Sequence, residues 1–420
     1  MSEVSTGCTT PAATRRVVVA GGGYAGTTCA VALGRALRRH GGDIEVLVVE
    51  PNPCQQALSE LDLVAVGPPR PQFCELWHPT VFKDLPVRVC YERVAQVRPD
   101  EHLVVVGEGH EVPYWRLVIA TGAIPSVPPI PGLREHAITM WSVEDAQRLQ
   151  QAIEAAFKTA ARLPDASDRR RALGFAVVGG GATGVEIVGT LGRMLPIRMR
   201  DAGLDPADLT VCLIEARPDI LYDLPQRLRT VARAKLERLG VVVVTDAPVS
   251  GVEPGKVGLG DGRDLDASVL VWAGGAHADP HAVEWGLRAD PTGRLVTDAC
   301  LLAEGRDDVY VIGDVAASRD PKTGRVLPML AQIAIQAGPH AASNLLREAA
   351  GSAPLPFEPH LRGEFVSIGP RDGVGWMYGA LLSGLAAITM KRITYVKYWL
   401  QVGGVRLALK RTREMVAMQR

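Results

Sequence analysis

Residues 16–26 read Arg-Val-Val-Val-Ala-Gly-Gly-Gly-Tyr-Ala-Gly, and the fold turns on how this stretch is read. Val17, Val18, Val19 and Ala20 make a short apolar run suited to a buried parallel strand. Gly21, Gly23 and Gly26 then carry the G-x-G-x-x-G spacing, with Tyr24 and Ala25 inside it. Gly21 permits a tight turn, Gly23 lets backbone approach a pyrophosphate, and Gly26 allows close packing of helix on strand. An alanine-rich helical run leads to Arg39, and residues 44–49 return as a second strand ending on Glu50. Phosphates sit on the free N–H groups at the start of such a helix. Glu50, 24 residues beyond Gly26, is placed to accept hydrogen bonds from ribose hydroxyls.

The same device recurs 158 residues later. Residues 175–178 form an apolar strand, and Gly179, Gly181 and Gly184 repeat the glycine spacing around Ala182 and Thr183. A helix is expected over 185–200, and strand 209–214 ends on Glu215. Two more apolar strands end in small residues, one at Ala120-Thr121-Gly122 and one at Trp272-Ala273-Gly274-Gly275. Strand 308–312 is closed by Gly313-Asp314, and a helix follows over 328–347. Two dinucleotide folds in one chain suggest one flavin held permanently and one nicotinamide that visits. Asp314, at a strand end, can then accept from a ribityl hydroxyl or order a water beside the phosphates.

The expected fold class is α/β, with two Rossmann-like dinucleotide-binding domains, the second inserted in the first, and an α+β segment at the carboxyl end. The boundaries read as a disordered tail over 1–14, a flavin domain over 15–142 and 290–355, a nicotinamide domain over 143–289, and an interface segment over 356–420. Between the motifs, 57–66 reads as helical and 73–78 as a loop anchored by Trp77, with Cys74 and His78 left open as functional candidates. Residues 87–97 and 102–107 read as strands of one small sheet, and 163–171 as a polar surface loop. Helices are expected over 144–160 and 225–239.

Composition bounds the rest. With 420 residues, 47% of them apolar, the chain can build two or three cores. Equal numbers of basic and acidic side chains, 46 of each, leave no global field for nucleic acid. No run of 18 purely apolar residues spans a bilayer. The seven cysteines are scattered, with no C-x-x-C pair, so neither a metal site nor a local redox disulfide is encoded. That pattern fits a reducing cytoplasm, with each cysteine read as a small buried apolar residue.

The chain resembles the flavoprotein pyridine-nucleotide oxidoreductases, and more closely the type II NADH dehydrogenases, single-chain NADH:quinone oxidoreductases. The motifs carrying the resemblance are those above, together with Ala331-Gln332-Ile333-Ala334-Ile335-Gln336, which matches an A-Q-x-A-x-Q segment. The resemblance implies FAD in the first cradle and NADH in the second, with hydride passing to the flavin and electrons on to a quinone, without proton pumping. It implies that Ala331, Gln332 and Gln336 line the flavin edge and the quinone pocket, and that Glu186 lies beside nicotinamide and flavin. From the residues themselves, Gln332 and Gln336 share one helix face and can recognise a quinone carbonyl. Glu215 accepts from a 2′-hydroxyl and repels a 2′-phosphate, favouring NADH, while Arg217 leaves room for NADPH. Relatives that reduce disulfides carry a cysteine pair after the first acid. Here that region holds only Cys54, so electrons leave the flavin for an external acceptor. Two alternatives stay open: a soluble NAD(P)H-dependent flavoprotein with a specialised substrate, and a flavin-binding redox sensor.

From Met390 to Arg420 there are eight basic residues against one acid, interleaved with Tyr395, Tyr398, Trp399 and aliphatic residues, and broken at Gly403-Gly404 into two short helices. Basic flanks with Trp and Tyr describe a segment lying in an anionic membrane interface. A core-packing or homodimerising helix pair is the alternative. The expected location is cytoplasmic, with peripheral attachment at the inner face of the cell membrane.

Overall fold

A computed structural model describes residues 15–67 and 71–417. The tail read over 1–14 and the last basic residue, Arg420, lie outside the described residues. Strand Arg15–Ala20 is paired on both sides, parallel to Ile44–Val49 and to Arg116–Ile119. Val17 to Ala20 are fully buried, which is why this strand is a continuous apolar run. Val87–Cys90 and Val309–Val311 complete an all-parallel five-stranded sheet in the order 309–311, 116–119, 15–20, 44–49, 87–90. Helix Tyr24–His40 follows the first strand and packs against helix Ala331–Ala349. The approach is close enough that a Cβ on Gly338 would lie 2.2 Å from Thr28 Oγ1.

The second sheet repeats the first. Its order is Ala137–Thr139, Val269–Trp272, Gly174–Val178, Thr210–Ile214, Val241–Val244, again all parallel. In both sheets the glycine-motif strand is central, flanked by the strand ending on the acid and by the strand ending in small residues. Each unit also carries an antiparallel three-stranded sheet, 94–98 with 103–106 and 110–113 in the first, and 249–253 with 256–259 and 264–266 in the second. The chain leaves the first sheet after Ile119 and rejoins it at Val309. Its outgoing and returning strands, Ala123–Pro125 and Ala276–Ala278, pair antiparallel. Beside them the Trp272 indole donates to Ser126 O at 2.6 Å, and Ser126 N–H donates to Gly275 O at 2.9 Å.

The carboxyl end holds a three-stranded antiparallel sheet, Gly363–Ser367, Gly373–Met377 and Ala380–Ser383. A helical stretch, Leu385–Ala417, follows and is broken at Gly404, whose φ of 68° lies in the left-handed region.

Three expectations are corrected. Residues 163–171 are not an irregular loop, because Ala166–Ala172 is a helix whose N-cap, Asp165, accepts from Ser167 N–H at 2.7 Å and Asp168 N–H at 3.2 Å. Residues 87–97 do not form one strand of a small sheet. Val87–Cys90 registers with Val46–Val49 in the main sheet, while Val94–Arg98 pairs with Leu103–Val106. Trp77 anchors nothing: it is 46% exposed, because Glu75–Trp77 pairs with Cys54–Gln56 and alternation turns Trp77 outward. The fully buried neighbour is His78.

Candidate functional site

The two glycine turns superpose feature for feature. Gly21 has φ of 111° and Gly179 of 112°, and a Cβ on either would lie 2.3 Å from a carbonyl oxygen, Ala120 O in the first and Ala273 O in the second. Only glycine fits such an approach. A Cβ on Gly26 would lie 1.9 Å from Gly21 O, and one on Gly184 would lie 1.8 Å from Gly179 O, so each helix seats against its strand. By contrast, a Cβ on Gly23 or Gly181 would meet nothing within 4 Å. These two positions face open space at a helix start, where N–H groups lack helical partners. Anionic groups fit there.

The acids match as well. Gly22 N–H donates to Glu50 Oε2 at 2.7 Å, and Gly180 N–H to Glu215 Oε2 at 2.5 Å. Asn52 N–H donates to Glu50 Oε1 at 3.0 Å, and Arg217 N–H to Glu215 Oε1 at 2.8 Å. Each carboxylate is thus held by two backbone donors at the strand end. Each oxygen keeps acceptor capacity for a diol. Beyond Glu215, the guanidinia of Arg217 and Arg229 both lie over the exposed Tyr222 ring, at 5.3 Å and 5.4 Å.

At the first cradle, Ala120 N–H is bonded to Ala20 O at 2.8 Å, Thr121 Oγ1 is buried without a partner, and Gly122 and Gly313 have positive φ. A buried hydroxyl with nothing to bond is costly unless a ligand satisfies it. Burial pushes the Asp314 carboxyl up, against the pull of nearby Arg294. Burial also pushes the Tyr24 hydroxyl up, and its ring stands edge-on to Tyr398 at 5.0 Å. The open position at Gly23, the two-donor grip on Glu50 and the unpartnered Thr121 fit a dinucleotide with a ribityl or ribose hydroxyl at that point. Ala331 begins the helix behind it.

Gln332 and Gln336 do share a face, but their amides are engaged. Gln332 donates from Nε2 to Gly363 O at 2.9 Å, while Gln336 donates to His360 O at 3.2 Å and accepts from His360 N–H at 3.0 Å. Both glutamines tie down the segment at 360–363; Gln336 Nε2 spends its second hydrogen on Gln332 O at 2.8 Å, whereas Gln332 Nε2 has a second hydrogen to give.

The sequence reading missed what Glu186 is paired with. Glu186 is buried, accepts from Ser367 N–H at 3.0 Å, and forms an ion pair with Lys391, which also donates to Ser367 Oγ at 3.0 Å. Burial alone would lower the Lys391 pKa, but Glu186, Tyr395 and Asp62 together outweigh it and hold the ammonium charged. Glu60 and Asp62 lie in the same interior. Asp62 Oδ2 accepts from Thr190 Oγ1 at 2.6 Å, and burial followed by Glu186 repulsion pushes its carboxyl to about 6. Burial pushes Glu60 to about 8, against the pull of Arg411 and Lys391. Arg411 is itself buried and donates to Gln72 O and Glu75 O, both at 2.7 Å. Lys391 and Arg411 therefore do not belong to an exposed basic face, and Tyr398 and Trp399 are buried rather than interfacial. Sequence distance hid this cluster, since Glu60, Glu186 and Lys391 come from three separate segments.

Linkage fixes how Glu60 affects stability. The folded chain keeps a proton that an ordinary carboxyl releases near 4.5, so stability falls as pH rises from there to about 8. Glu60→Gln is expected to remove a decline of about 3 kcal/mol, read as urea midpoints near pH 5 and near pH 8. A variant with the wild-type difference between those two midpoints would assign the decline to another group.

Cys90 is disulfide-bonded, and among the described residues the free thiols offer no redox centre. Cys29, Cys54, Cys74, Cys212 and Cys300 are free, and burial pushes Cys54 to about 11 and Cys74 well above its ordinary value. Such thiols are not nucleophiles near neutral pH.

Residues 15–338 match the family model of the pyridine nucleotide-disulphide oxidoreductases. The type II NADH:quinone oxidoreductase of Staphylococcus haemolyticus is 30% identical over 403 residues, covering 94% of this chain and 98% of that protein. Its Staphylococcus aureus counterpart is 29% identical over 402 residues, with the same coverage. Among solved structures, NDH2 from Plasmodium falciparum in complex with NADH superposes with a TM-score of 0.81 at 16% identity, covering 95% of this chain and 98% of that one. The sulfide:quinone oxidoreductase of Aquifex aeolicus gives 0.75 at 16% identity, covering 93% of this chain and 91% of that one. At those identities the two likenesses speak for the fold alone.

Proposed function

Since this chain belongs to the pyridine nucleotide-disulphide oxidoreductase family and, within it, to the type II NADH:quinone oxidoreductases, we propose that it oxidises NADH and reduces a quinone, using bound FAD. The observation that carries this reading is the doubled cradle, each copy with an open glycine position and a carboxylate held by two backbone donors. When bound, the flavin supplies the two-electron relay between nicotinamide and quinone. We assign residues 15–142 with 290–355 to the flavin unit, 143–289 to the nicotinamide unit and 356–420 to an interface segment.

In this reading Gly21, Gly23, Tyr24, Ala25, Gly26 and Glu50 hold the adenosine diphosphate half of FAD, while Thr121 and Asp314 meet the rest of the chain of hydroxyls. Gly179, Gly181, Ala182, Thr183, Gly184 and Glu215 hold NADH, with the Glu215 carboxylate disfavouring a 2′-phosphate. The protein's contribution to the chemistry is orientation of the two partners and exclusion of water. Quinone reduction consumes protons, and the buried acid Glu60, pushed to about 8, holds one at neutral pH. Gln332 retains one free N–H for a quinone carbonyl. Gln332→Leu is therefore expected to slow quinone reduction by about tenfold while leaving flavin reduction by NADH near wild type. Stopped-flow traces of the two half-reactions measure this directly, and equal slowing of both would remove the quinone assignment.

No helix among the described residues is long and apolar enough to cross a membrane. We read the last helix as a peripheral anchor. Val405, Leu409 and Val416 are exposed and fall on one stripe, with Arg406, Lys410 and Arg413 exposed on the stripe beside it. Binding to vesicles rich in anionic lipid is expected to weaken at least about tenfold between low and high salt. Sedimentation with the vesicles reads this out, and salt-independent binding, or none, would favour a dimer contact instead.

A further inference from the structure

The two cradles differ behind the middle glycine of the turn. A Cβ on Gly180 would meet Ile220 Cγ2 at 3.0 Å, whereas one on Gly22 would meet His78 Cε1 at 2.7 Å and Nε2 at 2.9 Å. Behind one glycine loop stands an aliphatic side chain, and behind the other a fully buried imidazole. We propose that His78 is a positioning residue for the first cradle, locking the Gly22–Glu50 contact from behind and making retention of the bound adenine dinucleotide sensitive to acid. This rests on the reading that the first cradle holds FAD.

His78 Nε2 lies 3.1 Å from Gly22 O. A carbonyl only accepts, so this nitrogen carries the hydrogen. Gly22 is thus gripped from both ends, its carbonyl by His78 and by Thr27 Oγ1 at 2.8 Å, and its N–H by Glu50. The ring is fixed in turn. It stacks on Phe82 at a centroid distance of 5.7 Å, its backbone N–H donates to Pro53 O at 3.0 Å, and His78 O accepts from Phe82 N–H at 2.9 Å. Its Nδ1 is buried and unpartnered. The charged group facing the ring is Glu50, and the polar backbone around it belongs to Gly22 and Asn52. Burial is the stronger influence and holds the imidazole below its ordinary value of 6.5, although Gly22, Glu50 and Asn52 all favour the proton. The neutral ring is therefore the native one. When acid forces a proton on, the new charge faces Glu50, the carboxylate that the ribose diol needs. The sign follows: retention is complete above about pH 6.5 and is lost as pH falls through the lowered pKa.

The experiment follows release of FAD from the holoprotein, by the fluorescence of the free cofactor, from about pH 8 to about pH 4. Wild type is expected to release flavin along a one-proton transition on the acid side. His78→Gln keeps a donor for Gly22 O without titrating there, so it should hold flavin normally at pH 8 and lose the transition. His78→Phe keeps the stacking but not the donor, so it should bind flavin about three- to tenfold more weakly at every pH. Binding of NAD⁺ to the second cradle, which has Ile220 in that place, serves as the internal control and should show no such transition. A His78→Gln protein with the wild-type transition, or a His78→Phe protein with wild-type retention, overturns the proposal while leaving the FAD reading intact. A wild-type protein that takes up no FAD overturns both.

Discussion

Gly26→Ala is expected to give a protein without flavin absorbance, while Gly184→Ala remains yellow and loses its affinity for NADH by about a hundredfold. The two substitutions are chemically identical and sit at equivalent places. A methyl at Gly26 would lie 1.9 Å from Gly21 O, and one at Gly184 would lie 1.8 Å from Gly179 O. Neither oxygen can retreat, because Gly21 and Gly179 are themselves pinned. Gly21 N–H is bonded to Val49 O and Gly179 N–H to Ile214 O, both at 2.8 Å. The helix must therefore shift away from its strand, and the N–H groups at its start move with it. What separates the outcomes is which ligand each helix serves. Absorbance spectra and NADH titrations of the two purified variants measure the effect. Loss of flavin from Gly184→Ala, with flavin kept by Gly26→Ala, would mean the cradles are assigned the wrong way round.

Lys391→Met is expected to cost about 3–5 kcal/mol of stability, because it leaves the Glu186 carboxylate buried with one backbone donor and no counter-charge. Asp62 makes the loss worse, since its carboxylate lies in the same interior and repels an unpaired Glu186. The double variant Lys391→Met with Glu186→Gln removes the charge along with its partner and should recover much of that loss, which a single structural contact would not do. Urea titrations of wild type, single and double variants close the cycle. A single variant as stable as wild type would show that the pair is solvated in solution and contributes nothing.

Much of the frame was legible because its signals are local. Val17 to Ala20, the glycine spacing and Glu50 lie within one stretch, and a glycine whose Cβ would strike a carbonyl leaves its mark in the sequence. The second copy confirmed the first by repetition. Helix Ala166–Ala172 was not legible from apolar spacing because it buries no side chain, and its signal was the capping aspartate at Asp165. His78 was misjudged beside Trp77 because two-residue alternation decides which of two neighbours turns inward, and nothing local fixes its phase. Lys391 and Arg411 looked like surface charge, since the sequence does not reveal that Glu186 and the carbonyls of Gln72 and Glu75 wait for them. Buried ion pairs joining distant segments are invisible until the chain is folded.

The short ladder between Ala123–Pro125 and Ala276–Ala278 has a consequence for how the chain assembles. Strand Val309–Val311 must find Arg116–Ile119 across about 190 intervening residues, an entropic burden for any search. Once the ladder has formed, the intervening lobe no longer counts toward the length of that loop, which shrinks to about 40 residues and lowers the closure cost by about 1.4 kcal/mol. The guest lobe thereby acts as a clasp on its host, so early collapse of the middle of the chain should hasten pairing of its two ends.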